Sequence, residues 1–123
     1  MSYPLSILIV TWNSWSDLQR CLDSILNADD VDQYEIVVID NGSEDNTVTN
    51  TRERYGERVN LHCNPTNLGL AAAVNLGMQL VQGEYVMLLD VDTEVQRDTA
   101  KLLLQFVKEH PETPLIAPRI QVP

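Results

Sequence analysis

The chain has 123 residues, 44% of them hydrophobic, and a formal net charge of −10, which suits one domain with its own core and is too short for two. No apolar run approaches the roughly 20 residues of a membrane span. Eight basic residues against eighteen acidic ones exclude nucleic acid and anionic lipid as natural partners, and repel a small anionic ligand unless a bound cation inverts the local field.

The first segment, residues 6–10 (SILIV), is a continuous apolar run of the kind found in strands buried on both faces. No basic stretch or small-residue cleavage site marks the N-terminus as a leader, so the expected location is cytoplasmic, with membrane association left open for a longer protein. Thr11, Trp12, Asn13 and Ser14 then form a turn. From residue 15 to 27, Leu18, Cys21, Leu22, Ile25 and Leu26 recur at helical spacing. Residues 35–39 (EIVVI) form a second buried strand, closed by Asp40, Asn41, Gly42 and Ser43. Ser43 or Asp45 is the expected cap of a helix running towards Tyr55.

A short strand is predicted over residues 59–63, then a turn-rich loop over 64–69 and a helix over 70–81 whose small residues imply close packing on a sheet. Gly83 stops that helix. Residues 85–89 (YVMLL) are the next strand, ending at Asp90-Val91-Asp92. A last helix spans 97–109 and stops before Pro111, and residues 115–120 read as the start of another extended segment. The alternation predicts one α/β domain, a mostly parallel sheet with helices on both faces. Cys21 and Cys63 are expected to be buried free thiols of a reducing compartment; His62 and His110 carry no partner pattern.

In such a sheet ligands collect at the carboxyl ends of the strands. Three strands here deliver Thr11-Trp12-Asn13, Asp40-Asn41-Gly42-Ser43 and Asp90-Val91-Asp92 to one edge. Asp40 alone reads equally as a helix cap. Asp90 and Asp92 repel each other unless something positive sits beside them, and magnesium or manganese, with oxygen ligands and substrate phosphates, is the economical solution. No glycine-rich phosphate loop is present to do the work instead.

Three ordered blocks, SILIVTWNSWSDLQRCLDSIL, EIVVIDNGSEDNT and NLGLAAAVNLGMQLVQGEYVMLLDVDTEV, resemble glycosyltransferase family 2 with its GT-A fold, and the likeness covers essentially the whole chain. The resemblance implies a domain that binds a nucleoside-diphosphate sugar through Mn2+ or Mg2+, for inverting transfer to a hydroxyl of a saccharide or lipid-linked acceptor. Asp40, as an acceptor, favours a UDP- or dTDP-linked sugar, and guanine, which also presents N–H donors, stays open. The resemblance places Trp12 against the base, Asp40 on a base N–H, Asp92 on the metal, and Asp90 on the ribose or the metal shell. Thr11, Asn13 and Gly69 are implied as backbone or loop contributors. Chemically, Trp12 reads equally as a stacking surface or as a core-edge residue, while Trp15 is expected to pack a helix.

Two features depart from the family pattern. Val74 stands where many members carry an arginine before the asparagine, and Thr93 after the Asp-x-Asp resembles a subgroup transferring sugars such as rhamnose. The resemblance also implies an acceptor-binding half and a catalytic base beyond Pro123, so residues 1–123 are expected to be the nucleotide-sugar half of a longer enzyme. A non-catalytic nucleotide-sugar-binding module is the alternative. A pyrophosphorylase is disfavoured, because Thr11-Trp12-Asn13-Ser14 replaces its glycine-rich basic loop.

Overall fold

The protein is described here by a computed structural model covering residues 2–117. Four strands and four helices alternate: β1 (Tyr3–Thr11), α1 (Trp15–Leu26), β2 (Tyr34–Asp40), α2 (Thr47–Tyr55), β3 (Asn60–Cys63), α3 (Leu70–Leu80), β4 (Gly83–Asp90) and α4 (Thr99–Glu109). The strands form one parallel sheet in the order β3-β2-β1-β4. The expected α/β class therefore holds. Of the extended segment predicted over 115–120, residues 115–117 carry no regular structure and the remainder lies outside the described residues.

Right-handed crossovers explain the layering. The chain moves from β1 to β2 to β3 in one direction, then returns past β1 to β4, so α3 lies on the opposite face from α1. On one face Leu5, Ile7, Ile9, Ile36 and Val38 pack against α1, Tyr55 of α2 and Ala100 of α4. On the other, Leu8, Val37 and Ile39 pack against Ala73 of α3. All seven residues of β2 are buried, as a central strand requires. The order reverses between β1 and β4, and that switch point opens a crevice at the carboxyl edge.

Side-chain periodicity accounts for the helices. In α1 the buried residues are Leu18, Cys21, Leu22 and Ile25, and Trp15 packs against Tyr55 with ring centroids 6.4 Å apart. The small-residue reading of α3 holds for Ala73 and Gly77, the latter so close to the Leu8 side chain that a Cβ there would overlap it. Ala71 and Ala72, by contrast, face outward and are exposed. α4 begins two residues later than predicted, because the Arg97 carbonyl accepts from the Asp29 N–H and the Thr99 N–H closes a turn on Gln96.

α2 is clasped to α1. The Tyr55 hydroxyl donates to Asp23 at 2.8 Å and Arg54 pairs with the same carboxylate at 2.9 Å. Burial raises the Asp23 pKa, but the hydrogen bonds from Arg54 and Tyr55 outweigh it and hold the group below its ordinary value. Burial, reinforced by Asp23, pushes the Tyr55 phenol up to about 12.

The amino end of the sheet carries a polar network that the apolar reading of residues 35–39 does not suggest. The buried Ser6 hydroxyl donates to Glu35 Oε1 at 2.7 Å and accepts from the Gly83 N–H at 2.7 Å. Glu35 Oε1 also accepts from Gln82 N–H at 2.8 Å. This joins β1, β2 and the start of β4, and it explains why β4 begins at Gly83, where a side chain would strike Ser6. Ser6→Ala is expected to destabilise the fold by about 1–3 kcal/mol, the cost of leaving buried partners unpaired. A urea midpoint equal to that of the parent would show the network to be dispensable.

Candidate functional site

The strand ends are level: Thr11 stands opposite Asp40, Asp40 opposite Cys63, and Val10 opposite Asp90. Past Thr11 the chain turns through Asn13, a non-glycine residue at φ +48°. Its side chain explains the turn. Asn13 Oδ1 accepts from Glu44 N–H at 2.8 Å, and the Asn13 N–H donates to Ser43 Oγ at 2.8 Å. The clamp ties the β1 turn to the β2 turn and leaves Trp12 half exposed. Trp12 is therefore not a core-edge residue.

Asp40 is buried, and both carboxylate oxygens accept from Ser43, Oδ2 from the N–H at 2.9 Å and Oδ1 from the hydroxyl at 2.6 Å. Ser43 is thus engaged backwards and does not cap α2. The N-cap residue is Asn46, which makes no side-chain cap bond; Asp45 Oδ1 instead accepts from the Thr47 N–H at 2.9 Å.

Asn41 organises the next loop. Its Nδ2 donates to Asn67 Oδ1 at 2.9 Å and to the Gly69 carbonyl at 3.2 Å, while its Oδ1 accepts from Asn64 Nδ2 at 3.2 Å and Leu68 N–H at 3.0 Å. Gly42, at φ +84°, lies against this loop, and a Cβ there would stand 2.6 Å from the Thr66 carbonyl carbon. Gly69, at φ +86°, bends the chain into α3.

Two cavities result. The first, of about 570 Å³, lies over β2 and β3 and is lined by Trp12, Asp40, Ser43, Arg52, Cys63 and Asn64 among others. The second, of about 350 Å³, lies over β1 and β4, with Asp17, Asp90 and Asp92 beside Leu70 and Val74 of α3. The seven predicted residues thus separate. Trp12 and Asp40 share the first cavity, Asp90 and Asp92 the second. Asn13 and Gly69 shape the loops, and Thr11 lies buried between, its Oγ1 without a hydrogen-bond partner among the described residues.

Asp90 and Asp92 are exposed. The Asp90 backbone carbonyl accepts from Thr93 N–H and Oγ1, at 3.1 and 2.7 Å, and both aspartates line the second cavity. Among the described residues no group of three or more His, Cys, Asp or Glu side chains is arranged to hold a metal ion by itself. Two carboxylates completed by substrate oxygens nonetheless fit magnesium or manganese, which commonly bind in that way.

Both cysteines are free. Cys21 is buried in the core, and that burial, with the Asp92 and Glu94 charges, pushes its thiol up to about 11 against an opposing hydrogen bond from Thr93. Cys63 departs from the buried expectation. It is half-buried and lines the first cavity, where its Sγ accepts from Arg52 Nη2 at 3.7 Å. Burial raises its pKa; Arg52 opposes the shift and Asp40 adds to it.

Sequence reasoning missed Arg52 and Asp17, and it placed Asn41 at the strand-end edge without its role in holding the loop. Arg52 shares a helical face with Val48 and Thr49 beside the buried stripe Thr47, Thr51 and Tyr55, but in sequence that face reads as ordinary solvated surface.

The protein-family model for glycosyl transferase family 2 matches residues 6–122. The chain belongs to glycosyltransferase family 2. The family 2 chain is 36% identical over 108 residues to a chondroitin synthase of Pasteurella multocida, a match covering 85% of this chain and 11% of that protein. It is 34% identical to an uncharacterized glycosyltransferase of Haemophilus influenzae, covering 89% and 45%. It thus spans less than half the length of these relatives. Its GT-A fold is shared with S. aureus TarS 1–349 in complex with UDP-GlcNAc (TM-score 0.77, 29% identity, 90% of this chain and 32% of that one). A mannosyltransferase of Pyrobaculum calidifontis in complex with GDP-Man and Mn2+ superposes with a TM-score of 0.78 at 25% identity, covering 87% and 33%. Among the described residues no helix is long and apolar enough to cross a membrane.

Proposed function

We propose that this family 2 domain binds a nucleoside-diphosphate sugar, UDP- or dTDP-linked, with a divalent metal, as the donor half of an inverting glycosyltransferase. One observation carries the reading. A cavity with an aromatic face and a carboxylate over β2 and β3 lies beside an acidic cavity over β1 and β4. Two interstrand spacings, about 10 Å, separate the β2 and β4 ends, a span suited to a base on one side and a diphosphate on the other.

Trp12 offers its exposed ring to the base, and Asp40 has acceptor capacity left for a base N–H after its two bonds to Ser43. Asp92 and Asp90 would hold the metal, which when bound neutralises charge on the leaving diphosphate. The amino end of α3 opens on the second cavity through Leu70 and Val74, so backbone N–H groups there can favour a diphosphate without the arginine that Val74 replaces.

Calorimetric titration with UDP in the presence of manganese tests the reading. Trp12→Ala is expected to weaken binding by about 1–3 kcal/mol, the range for loss of a base-stacking aromatic, with unchanged thermal unfolding because the ring is outside the core. No UDP binding by the parent, or equal binding by the variant, would show that the nucleotide site has been misplaced.

A further inference from the structure

We propose that Arg52 reads the edge of the nucleobase beside Asp40 and makes this cavity select uracil-type bases over cytosine; the inference rests on the nucleotide-site reading above. Arg52 is the one basic side chain lining the first cavity, among Asp40, Glu44 and Asp45. Among the described residues its side chain hydrogen-bonds only to the Cys63 sulfur, at 3.7 Å, a weak acceptor. Of the other described arginines, Arg20 is paired with Asp17, Arg54 with Asp23 and Arg97 with Asp29, and Arg58 donates to the Arg54 carbonyl and lies over the Tyr55 ring.

Arg52 Nη2 lies 3.7 Å from Cys63 Sγ, Cys63 stands opposite Asp40 on the neighbouring strand, and all three residues line the first cavity, so a cationic donor and an anionic acceptor lie on either side of one residue at the end of β3. The clasp of Tyr55 and Arg54 to Asp23 fixes the helix that carries Arg52.

Chemistry then selects the base. Uracil presents an N–H beside a carbonyl oxygen, matching a carboxylate acceptor beside a guanidinium donor. Cytosine presents a ring-nitrogen lone pair and an amino group at the same two positions, so acceptor meets acceptor and donor meets donor. Stacking on Trp12 and the tether to the phosphates prevent the base from turning over to repair the mismatch. Arg52 therefore supplies both the attraction to one base and the penalty against the other.

The experiment titrates UDP and CDP, with manganese, into the parent, Arg52→Met and Arg52→Lys. The parent is expected to prefer UDP at least tenfold. Arg52→Met should lose about tenfold in UDP affinity and keep or gain CDP affinity, and Arg52→Lys should recover part of the preference. CDP carries the same phosphates, so equal losses for both ligands would mean that Arg52 only attracts anions, and would overturn the proposal. Unchanged UDP affinity in Arg52→Met, with parental preference, would overturn it too. Binding of neither ligand by the parent would instead overturn the nucleotide-site reading and this one with it.

Discussion

Chelation of divalent metal is expected to weaken UDP binding roughly a hundredfold, about 3 kcal/mol. The chain carries a net charge of −10, and the second cavity places Asp17, Asp90 and Asp92 where a diphosphate would sit. An opposite charge at about 4 Å near a protein surface contributes on the order of 4 kcal/mol, so one cation between these carboxylates and a diphosphate decides the sign of the interaction. Titration in manganese and then in excess chelator measures it. Asp92→Ala should erase the difference between the two conditions. Asp98→Ala should not, because Asp98 stands at the N-terminus of α4, outside the residues that line the second cavity. Equal affinity with and without chelator would rule out a metal-held diphosphate.

Asn41→Leu is expected to lower stability by about 3–5 kcal/mol and to abolish UDP binding. The amide of Asn41 is buried and joins Asn64, Asn67, Leu68 and Gly69, so its loss leaves several donors and acceptors unmatched. Each unmatched buried group costs about 1–3 kcal/mol. Asn41→Asp keeps the acceptor for Asn64 and Leu68, but sets a carboxylate against Asn67 Oδ1 and the Gly69 carbonyl, so it should also destabilise, though by less. Urea unfolding measures both, and calorimetry at a temperature where the variants remain folded separates loop placement from unfolding. A parental urea midpoint for Asn41→Leu would show that the loop is held by other means.

Much of the site was legible because strand ends are marked locally. Runs such as SILIV and EIVVI stop where polar residues begin, and the topology of a parallel sheet sends those stops to one edge. Trp12, Asp40, Asp90 and Asp92 are found that way, and all four line cavities at that edge. Arg52 and Asp17 were not found, since each lies on a helix whose exposed face looks like ordinary solvated surface until a strand end is placed beside it. Asn41 reads as a turn residue; its four partnerships span separations of 23 to 28 residues, and no local pattern encodes them. Ser6 and Glu35 were hidden for the same reason, their neighbour Gly83 lying 77 residues from Ser6.

By itself the sequence determined the alternation of strands and helices, the parallel sheet, the edge at which polar groups gather, and the family. The first three follow from periodicity and turn chemistry, which act over a few residues; the family follows from the resemblance carried by three ordered blocks. Tertiary structure alone decided that Trp12 is exposed, that Asp40 is bound by Ser43, that Cys63 faces a cavity, and that Trp12 and Asp40 occupy a different cavity from Asp90 and Asp92. The physical reason is the strand order. Placing β1 between β2 and β4 sets the Asp40 and Asp90 ends on opposite sides of Thr11, and only assembly of the sheet creates that separation.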